Sequence, residues 1–284
     1  MSTRRNFIQK SAFSLAGTAL VPFIGNSSAI NENNSLIESK HLPLSIGVAG
    51  YTFAKFSIDQ SITMMKRIGV TNLSLKDIHL PLNSSDEKIA DAMAKFKAAG
   101  INIYTVGVIY MKTKEVVELA FQYAKKVGVD MIVGVPSYDL IEHAEAQVKA
   151  TGIRLAIHNH GPEDALYPAP KDVYDRIKNM DARMGMCIDV GHAVRAGAAP
   201  ENAIKEFKSR LFDLHIKDVT IAAKEGKAIE MGRGAINYPA VVEALYKIKF
   251  KGVCSIEFEK DMSDPLAGIA ESIGYFRGVS AAEM

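Results

Sequence analysis

Four segments in the second half of the chain carry side chains of the kinds that bind divalent metal ions. They read His158-Asn159-His160, Asp189-Val190-Gly191-His192, His215-Ile216-Lys217-Asp218 and Glu257-Phe258-Glu259. Imidazole nitrogens and carboxylate oxygens are the usual protein ligands of borderline transition metals. The residue types therefore point to metal chemistry, provided that the fold brings the four segments together.

Each segment ends a short apolar run whose β-branched residues indicate a strand. Successive side chains of a strand point to opposite faces, so the apolar neighbours Ile157, Ile188 and Ile256 would face a layer of helices. One polar residue from each run would then face the other side, at the same strand depth: His158, Asp189, His215 and Glu257. Four such residues in consecutive strands favour one metal site over four unrelated buried polar groups. Two imidazoles and two carboxylates suit one Mn²⁺, Co²⁺, Fe²⁺ or Zn²⁺ ion better than Mg²⁺.

The strands and helices that must position these residues alternate along the chain. The predicted strands are Leu44–Phe53, Thr71–Leu75, Ile101–Tyr110, Met131–Val135, Arg154–His160, Met184–Val190, Leu211–Lys217 and Val253–Phe258. Amphipathic stretches between them predict helices, for example Asp86–Ala99, Lys114–Val127, Lys171–Met180 and Tyr238–Ile248. Four glycines stand where the first four helices should end: Gly69, Gly100, Gly128 and Gly152. Helices between consecutive strands require the strands to be parallel.

Eight parallel strands favour a closed (β/α)8 TIM barrel over an open doubly wound sheet. An open sheet usually carries a glycine-rich nucleotide-binding turn after its first strand, and Val48-Ala49-Gly50-Tyr51-Thr52-Phe53 has no such motif. The active site of a barrel lies at the carboxyl ends of its strands, where the four polar segments stand. The sequence therefore predicts an α/β barrel with its site at that end.

The first 29 residues have the composition of an export signal. Arg4 and Arg5 precede an apolar run over 12–24, small residues follow at 27–29, and the arginine pair resembles the twin-arginine type. The apolar run of about 13 residues is shorter than the ~20 needed to cross a bilayer, which disfavours a membrane anchor. We predict three segments: a signal peptide over 1–29, a polar spacer over 30–43 and the barrel over 44–284. The mature protein is expected in the periplasm or otherwise exported.

Charge and cysteine content exclude several function classes. The chain of 284 residues has 34 Lys and Arg against 32 Asp and Glu, a net charge of +2. This balance disfavours a protein that binds the phosphate backbone of nucleic acids. Cys187 and Cys254 lie in apolar runs and are expected to be core thiols, not a disulfide. The composition favours a folded domain that acts on a small molecule.

In combination, several short motifs resemble those of the xylose isomerase-like TIM-barrel superfamily, which includes keto-sugar 3-epimerases and lyases of 3-oxo-glycosides. The motifs lie within 44–279 and are Asp189-x-x-His192, His215-x-Lys217-Asp218, Gly232-x-Gly234-x-Ile236 and Glu257 on the last strand. The resemblance implies that Asp189, His215 and Glu257 hold a divalent metal ion, with His192 close to the substrate. The epimerases usually carry a glutamate where this chain has His158, and it forms an acid–base pair with the one matching Glu257.

This departure bears on the reaction. A metal ion at the barrel mouth can stabilise the enolate formed when the C–H beside a sugar carbonyl is lost, a step common to isomerisation, epimerisation and β-elimination. An epimerase needs bases on both faces of the carbon, whereas elimination needs one base and an acid at the leaving group. Loss of the glutamate pair therefore favours β-elimination of 3-oxo-glycosides (a 3-keto-glycoside 1,2-lyase). A keto-sugar isomerase or epimerase is the alternative enzyme, and a non-catalytic periplasmic sugar-binding barrel is the alternative of another class.

Further candidates stand at the predicted strand ends. His192 is the predicted base, since it adjoins a ligand strand and imidazole titrates around pH ~6.5. Lys217 shares the strand parity of His215 and is predicted to support the enolate, with a surface salt bridge as the alternative. Lys76 and His79 follow the second strand as candidate catalytic groups, with a solvated loop as the alternative. Three residues are predicted to contact the sugar: His160, Arg233 and Tyr51.

Two of these predicted sugar-contacting residues, Arg233 and Tyr51, have a specific expected role. Arg233 stands between two glycines in the loop over 219–237 and is expected to reach over the site as a lid. Tyr51, at the end of the first strand, is expected to stack on a sugar ring, with core filling as the alternative. The expected partner is a small sugar or glycoside. We expect no nucleic acid and no stable membrane anchor after processing, and assembly into a homo-oligomer stays open.

Overall fold

Eight parallel strands pair into a closed barrel in the computed structural model, which describes residues 42–283. The barrel strands are β1 (Ser45–Ala49), β2 (Asn72–Leu75), β3 (Asn102–Met111), β4 (Met131–Pro136), β5 (Arg154–His158), β6 (Met184–Asp189), β7 (Leu211–Ile216) and β10 (Val253–Ile256). A small antiparallel ribbon, β8 (Asp218–Val219) and β9 (Ala228–Ile229), lies between the last two in sequence. The predicted (β/α)8 barrel is confirmed. The predicted signal peptide over 1–29 lies outside the described residues.

Helices connect the strands and cover the outside of the barrel. They are α1 (Ile58–Ile68), α2 (Asp86–Ala98), α3 (Lys114–Val127), α4 (Ile141–Thr151), α5 (Pro170–Ile177), α6 (Val190–Arg195), α7 (Pro200–Glu206), α8 (Tyr238–Lys247) and α9 (Leu266–Ala282). Within the described residues, no helix is both long and apolar enough to cross a membrane.

Local signals explain where most helices begin and end. The Thr113 side chain accepts a hydrogen bond from the Val116 N–H at the start of α3, and Gly128 ends that helix with a φ of 86°. All four glycines predicted at helix ends have positive φ: Gly69, Gly100, Gly128 and Gly152. The predicted helix Lys171–Met180 was too long at its C-terminal end. The chain leaves α5 after Ile177 in a tight turn, in which the Met180 N–H donates to the Ile177 carbonyl.

The barrel interior contains a buried polar layer below the candidate site. The Tyr104 hydroxyl lies 2.6 Å from the Ser255 hydroxyl and 3.1 and 3.2 Å from the carboxylate oxygens of Asp213. Burial raises the pKa of Asp213 to about 6. The thiol of Cys187 also faces Asp213, and both cysteines are buried and unbridged, as predicted. Asp213 and Ser255 stand two residues before His215 and Glu257, so this layer forms the floor beneath them.

The first strand is shorter than predicted, and the reason is a close contact between two strand ends. β1 ends at Ala49, and residues 50–53 form a 3₁₀ turn. A Cβ on Gly50 would lie 2.6 Å from the Ser74 carbonyl oxygen and 2.8 Å from the Lys76 nitrogen. Only glycine allows the chain to pass this close to the end of β2, and the turn places Tyr51 at the barrel mouth.

We expect Gly50→Ala to lower the free energy of unfolding by about 1–3 kcal/mol, because the new methyl group meets backbone atoms that cannot rotate away. Gly278→Ala is the matched control, since a Cβ at this helical position meets nothing within 4 Å. The control should raise stability by about 0.5–1 kcal/mol. Denaturant unfolding of both variants measures the difference, and equal effects would contradict the assigned contact.

Candidate active site

The side chains of His158, Asp189, His215 and Glu257 meet at the carboxyl end of the barrel. One ligand atom from each lies within 4.8 Å of those of the other three. His158 Nε2 is 3.2 Å from His215 Nδ1 and 3.7 Å from Asp189 Oδ2, and His215 Nδ1 is 3.5 Å from Glu257 Oε2. All four side chains are buried. The structure thus brings together the four residues that strand alternation predicted as ligands.

Strand register shows how the cluster forms. Asp189 pairs directly with His215, but His158 pairs with Cys187 and His215 pairs with Ser255. The predicted equal strand depth therefore holds for Asp189 and His215 but not for His158 and Glu257. Barrel strands tilt relative to the axis, so residues staggered in register lie in one layer across the interior.

Neighbouring backbone contacts hold two of the carboxylates in place. Asp189 Oδ1 accepts a hydrogen bond of 2.8 Å from the His192 N–H and so caps α6. The amide side chain of Asn159 binds both the N–H and the carbonyl of Asp189, at 2.9 and 3.2 Å. Glu257 follows β10, and its N–H donates to the Ile216 carbonyl. These contacts fix the backbone from which the carboxylates project.

The buried charge at this cluster is unbalanced in a way that fits a divalent cation. The buried carboxylates of Asp189 and Glu257 and the partly exposed carboxylate of Glu259 surround the single ammonium of Lys217. With neutral imidazoles the net charge is −2, and buried charge is costly unless it is compensated. Burial opposes protonation of His215, but the Glu257 carboxylate raises its pKa above the usual value. Excess negative charge therefore favours binding of a cation.

The state of the ligand atoms agrees with this conclusion. Asp189 Oδ2 lies near His158 Nε2 and the Lys217 ammonium, but it is buried and accepts no well-aligned hydrogen bond. Burial lowers the pKa of His158 to about 4, so its imidazole is neutral and able to donate a lone pair. Two imidazoles and two carboxylates fit one divalent ion of the borderline transition series.

The Lys217 ammonium lies among four acceptors. It is 2.7 Å from Glu257 Oε2, 2.9 Å from Glu259 Oε2, 3.1 Å from Asp189 Oδ2 and 3.2 Å from His192 Nε2. Burial disfavours the charged form, but these carboxylates raise the pKa of Lys217 well above its usual value. An ammonium has three N–H donors, so none is free for an enolate while these contacts persist. The alternative of a surface salt bridge is excluded, because the side chain is 3% exposed.

His192 contacts this ammonium from the side of the cavity. Its Nε2 faces Lys217, and its Nδ1 lies 3.4 Å from the Arg195 guanidinium. Burial, together with the positive charge of Lys217, lowers the pKa of His192 to about 2. The imidazole is therefore neutral, as a proton acceptor must be, but both of its ring nitrogens face cations.

A cavity of about 330 Å³ opens above the cluster. Its lining residues are Tyr51, Lys76, Ile78, Val108, Tyr110, His158, His160, His192, Glu257 and Glu259. Four residues predicted as catalytic or sugar-binding are among them: Tyr51, Lys76, His160 and His192. Tyr51 is 37% exposed, so it does not fill the core. The Lys76 ammonium lies 2.6 Å from Asp77 Oδ1 and also donates to the Val108 carbonyl.

Two of the predicted catalytic and sugar-binding residues, His79 and Arg233, belong neither to the cavity lining nor to the ligand cluster. His79 Nε2 lies 2.9 Å from the Phe53 carbonyl oxygen, and burial lowers its pKa. Arg233 forms a bidentate ion pair with Glu271 on α9, at 2.5 and 2.7 Å, so its guanidinium is not a lid over the site. Glu271 lies 38 residues from Arg233, which local sequence could not indicate.

The loop that carries Arg233 is fastened by Asp218. Its carboxylate accepts four backbone hydrogen bonds, from the N–H groups of Val219, Gly232, Gly234 and Ile236, at 2.8–3.2 Å. Two motifs that are separate in sequence, His215-x-Lys217-Asp218 and Gly232-x-Gly234-x-Ile236, are thus one structural unit. Asp218 positions a loop and does not face the cavity.

Sequence reasoning missed some residues that line the cavity, among them Ile78, Val108, Tyr110 and Glu259. Glu259 has the strand parity of Glu257, the same signal that singled out Lys217 beside His215. Tyr110 ends the predicted third strand. It was missed because polar residues at strand ends were considered as ligands only for the later strands. Ile78 and Val108 carry no polar group and gave no signal.

Comparison with known proteins agrees with the fold. Residues 66–279 match the family model described as a xylose isomerase-like TIM barrel. The chain belongs to this family. The resemblance inferred from its motifs is confirmed, and the chain has the fold of sugar isomerases and epimerases.

Among curated relatives of this xylose isomerase-like barrel, the rhizopine catabolism protein MocC of Rhizobium meliloti is 28% identical over 126 residues. The match covers 39% of this chain and 38% of MocC. The 3-keto-D-glucoside 4-epimerase YcjR from E. coli has a TM-score of 0.68 at 16% identity, covering 83% of this chain and 99% of that one. The IOLI protein, solved with a bound zinc atom, has a TM-score of 0.71 at 15% identity, covering 85% and 99%. Such identities show a shared fold.

We expect Asp189→Asn to lower the affinity for a divalent ion by about 100-fold or more, because it removes a ligand charge while keeping the side-chain shape. Isothermal titration of the metal-free protein with Mn²⁺ and Zn²⁺ measures the loss. Ile188→Val is the matched control, since this buried neighbour has the opposite parity and should affect packing only. If Asp189→Asn bound the divalent ion with unchanged affinity, the assignment of the metal site would be wrong.

We expect Lys217→Met to raise the affinity for a divalent ion by about tenfold or more, because it removes a positive charge that contacts two ligand carboxylates. Lys76→Met is the control, since the Lys76 ammonium is paired with Asp77. The same titration measures both variants. Equal or weaker binding by Lys217→Met would show that the ammonium does not compete with the ion.

Proposed function

We propose that this protein is a metal-dependent lyase that cleaves 3-oxo-glycosides by β-elimination across C1 and C2 of the sugar. The arrangement of acid–base groups around the cavity supports the proposal. Among the described lining residues, both carboxylates, Glu257 and Glu259, bind the same Lys217 ammonium. The lining also contains the imidazoles of His158, His160 and His192. A pair of opposed free carboxylates, which two-base epimerisation needs, is absent from these lining residues.

Elimination requires one base beside the C2–H bond. His192 is the proposed base: its neutral imidazole lines the cavity next to the ligand cluster, and its Nε2 would have to separate from the Lys217 ammonium to accept the proton. A divalent ion held by His158, Asp189, His215 and Glu257 would polarise the C3 carbonyl and stabilise the enolate. As His192 takes the proton, the C2–H electron pair forms the enolate. That pair then forms the C1=C2 double bond, and the C1–O bond breaks.

The leaving oxygen needs a proton, and His160 is the proposed donor. Its ring centre lies 4.8 Å from that of His192, so the two imidazoles are adjacent in the cavity. His160 Nδ1 is 3.0 Å from the Tyr110 hydroxyl, and burial raises the pKa of Tyr110 to about 12, which keeps that hydroxyl protonated. The products are an alcohol and an unsaturated 3-oxo-sugar, with no change in overall oxidation state.

Two further observations support this substrate class. The structurally similar YcjR is named for activity on a 3-keto-D-glucoside, although at 16% identity its reaction does not carry over to this chain. The N-terminal composition favours export, and we propose that the mature protein works in the periplasm, where intact glycosides are available before uptake.

The test is incubation of the metal-loaded protein with a 3-oxo-glucoside in D₂O. We expect release of the alcohol, formation of the unsaturated sugar by mass, and loss of the C2 proton to solvent. His192→Gln and His160→Gln should each lower the rate by about 10²–10⁴-fold. His143→Gln, on α4 at the barrel surface, is the matched control.

Other outcomes would identify the alternatives. Exchange at C2 with an intact glycosidic bond would indicate an isomerase or epimerase. Tight binding with neither exchange nor cleavage would indicate a sugar-binding barrel.

A further inference from the structure

One wall of the cavity is apolar and unusually exposed. We define this apolar wall by Tyr51, Ile78, Val108 and Tyr110, all of which line the cavity. Tyr51, Ile78 and Tyr110 are 37%, 52% and 38% exposed. They are three of the five large exposed apolar side chains found within residues 42–283. Exposed apolar groups gathered at one cavity mark a surface that binds a ligand.

Two lysines lie near the apolar wall, and one of them, Lys112, lies outside the cavity lining with its ammonium 6.0 Å from the centre of the Tyr110 ring. Lys76 is the cation that lines this part of the cavity, and its ammonium is paired with Asp77 and the Val108 carbonyl. The Lys217 ammonium is surrounded by carboxylates. Recognition of a phosphate group needs free cationic or N–H donors. The cation in the cavity lining, Lys76, is therefore not free to bind a phosphate group.

Tyr110 joins the apolar wall to the polar half of the cavity. Its ring belongs to the wall, while its hydroxyl lies 3.0 Å from His160 Nδ1, and the two rings meet edge to face at 5.8 Å. His160 is the proposed proton donor to the leaving group. A leaving group protonated by His160 would thus lie against the apolar wall, while the sugar lies over the ligand cluster.

The chemistry of the wall distinguishes an aromatic leaving group from a second sugar. Ile78 and Val108 offer neither donors nor acceptors, so sugar hydroxyls placed against them would lose hydrogen bonds to water without replacement. Tyrosine rings, in contrast, pack well against the edge or face of another ring. The wall therefore complements a flat apolar group.

We propose that the apolar wall is the binding site for an aromatic leaving group, so that the preferred substrates are aryl glycosides. The inference rests on the proposed function for the position of the sugar. It extends that function by naming the group that is released.

The test uses glucosides that retain the 3-hydroxyl group and therefore cannot undergo the elimination. Isothermal titration of the metal-loaded protein compares phenyl and methyl glucosides of both anomeric forms, with cellobiose as the sugar-bearing probe. We expect one phenyl glucoside to bind about tenfold more tightly than the methyl glucoside of the same anomer. Equal affinities, no measurable binding of either phenyl glucoside, or tighter binding of cellobiose would overturn the inference.

Variants assign the preference to the wall. Tyr51→Ala and Ile78→Ser should each bring the phenyl-to-methyl affinity ratio close to one, whereas Tyr51→Phe should keep it. Ile221→Ser is the matched control, because Ile221 is 50% exposed but does not line the cavity. An aryl preference without cleavage of 3-oxo-glucosides would reject the proposed lyase and keep the binding site. Cleavage of 3-oxo-glucosides without an aryl preference would support the proposed lyase and reject the aryl-binding site.

Discussion

The ion pairs of Lys217 hold the centre of this molecule together. Its ammonium connects Asp189 on β6 with Glu257 and Glu259 after β10, so carboxylates that would repel one another share one cation. Removing the ammonium would leave the buried carboxylates of Asp189 and Glu257 without this compensating cation, which is strongly destabilising. A Cβ on Gly191 would lie 2.5 Å from Lys217 Cγ, so the Lys217 side chain fits only because residue 191 is glycine. Even so, the cluster carries two more negative charges than positive ones. A bound divalent ion would balance this excess.

The barrel and the ligand cluster could be predicted because both follow from short-range periodicity. Alternation along a strand decides which side of the sheet His158 or Asp189 faces, and parallel pairing with neighbouring strands places those faces together. The same periodicity indicated that Lys217 points inward beside His215. It could not indicate the role of that lysine, because its partners Glu257 and Glu259 lie 40 and 42 residues away.

The remaining features depend on contacts that no local pattern carries. The first strand ends early because Gly50 passes close to Ser74 and Lys76. Arg233 lies away from the cavity because Glu271, on the last helix, binds it. The apolar wall could not be predicted from the sequence for a different reason. Ile78 and Val108 have the side chains of core residues, and only the fold shows that they line an open cavity.

The fastening of the loop after β7 also limits what the barrel can recognise. Barrels of this architecture frequently bind phosphate with the loops that follow the seventh and eighth strands, where backbone N–H groups converge on an anion. Here the turn through Gly232 and Gly234 forms such an arrangement of N–H groups, but the carboxylate of Asp218 already accepts from them. The Asp218 carboxylate therefore already occupies the anion position among these N–H groups. A phosphorylated sugar would have to displace a covalently tethered competitor, whereas a neutral glycoside would not.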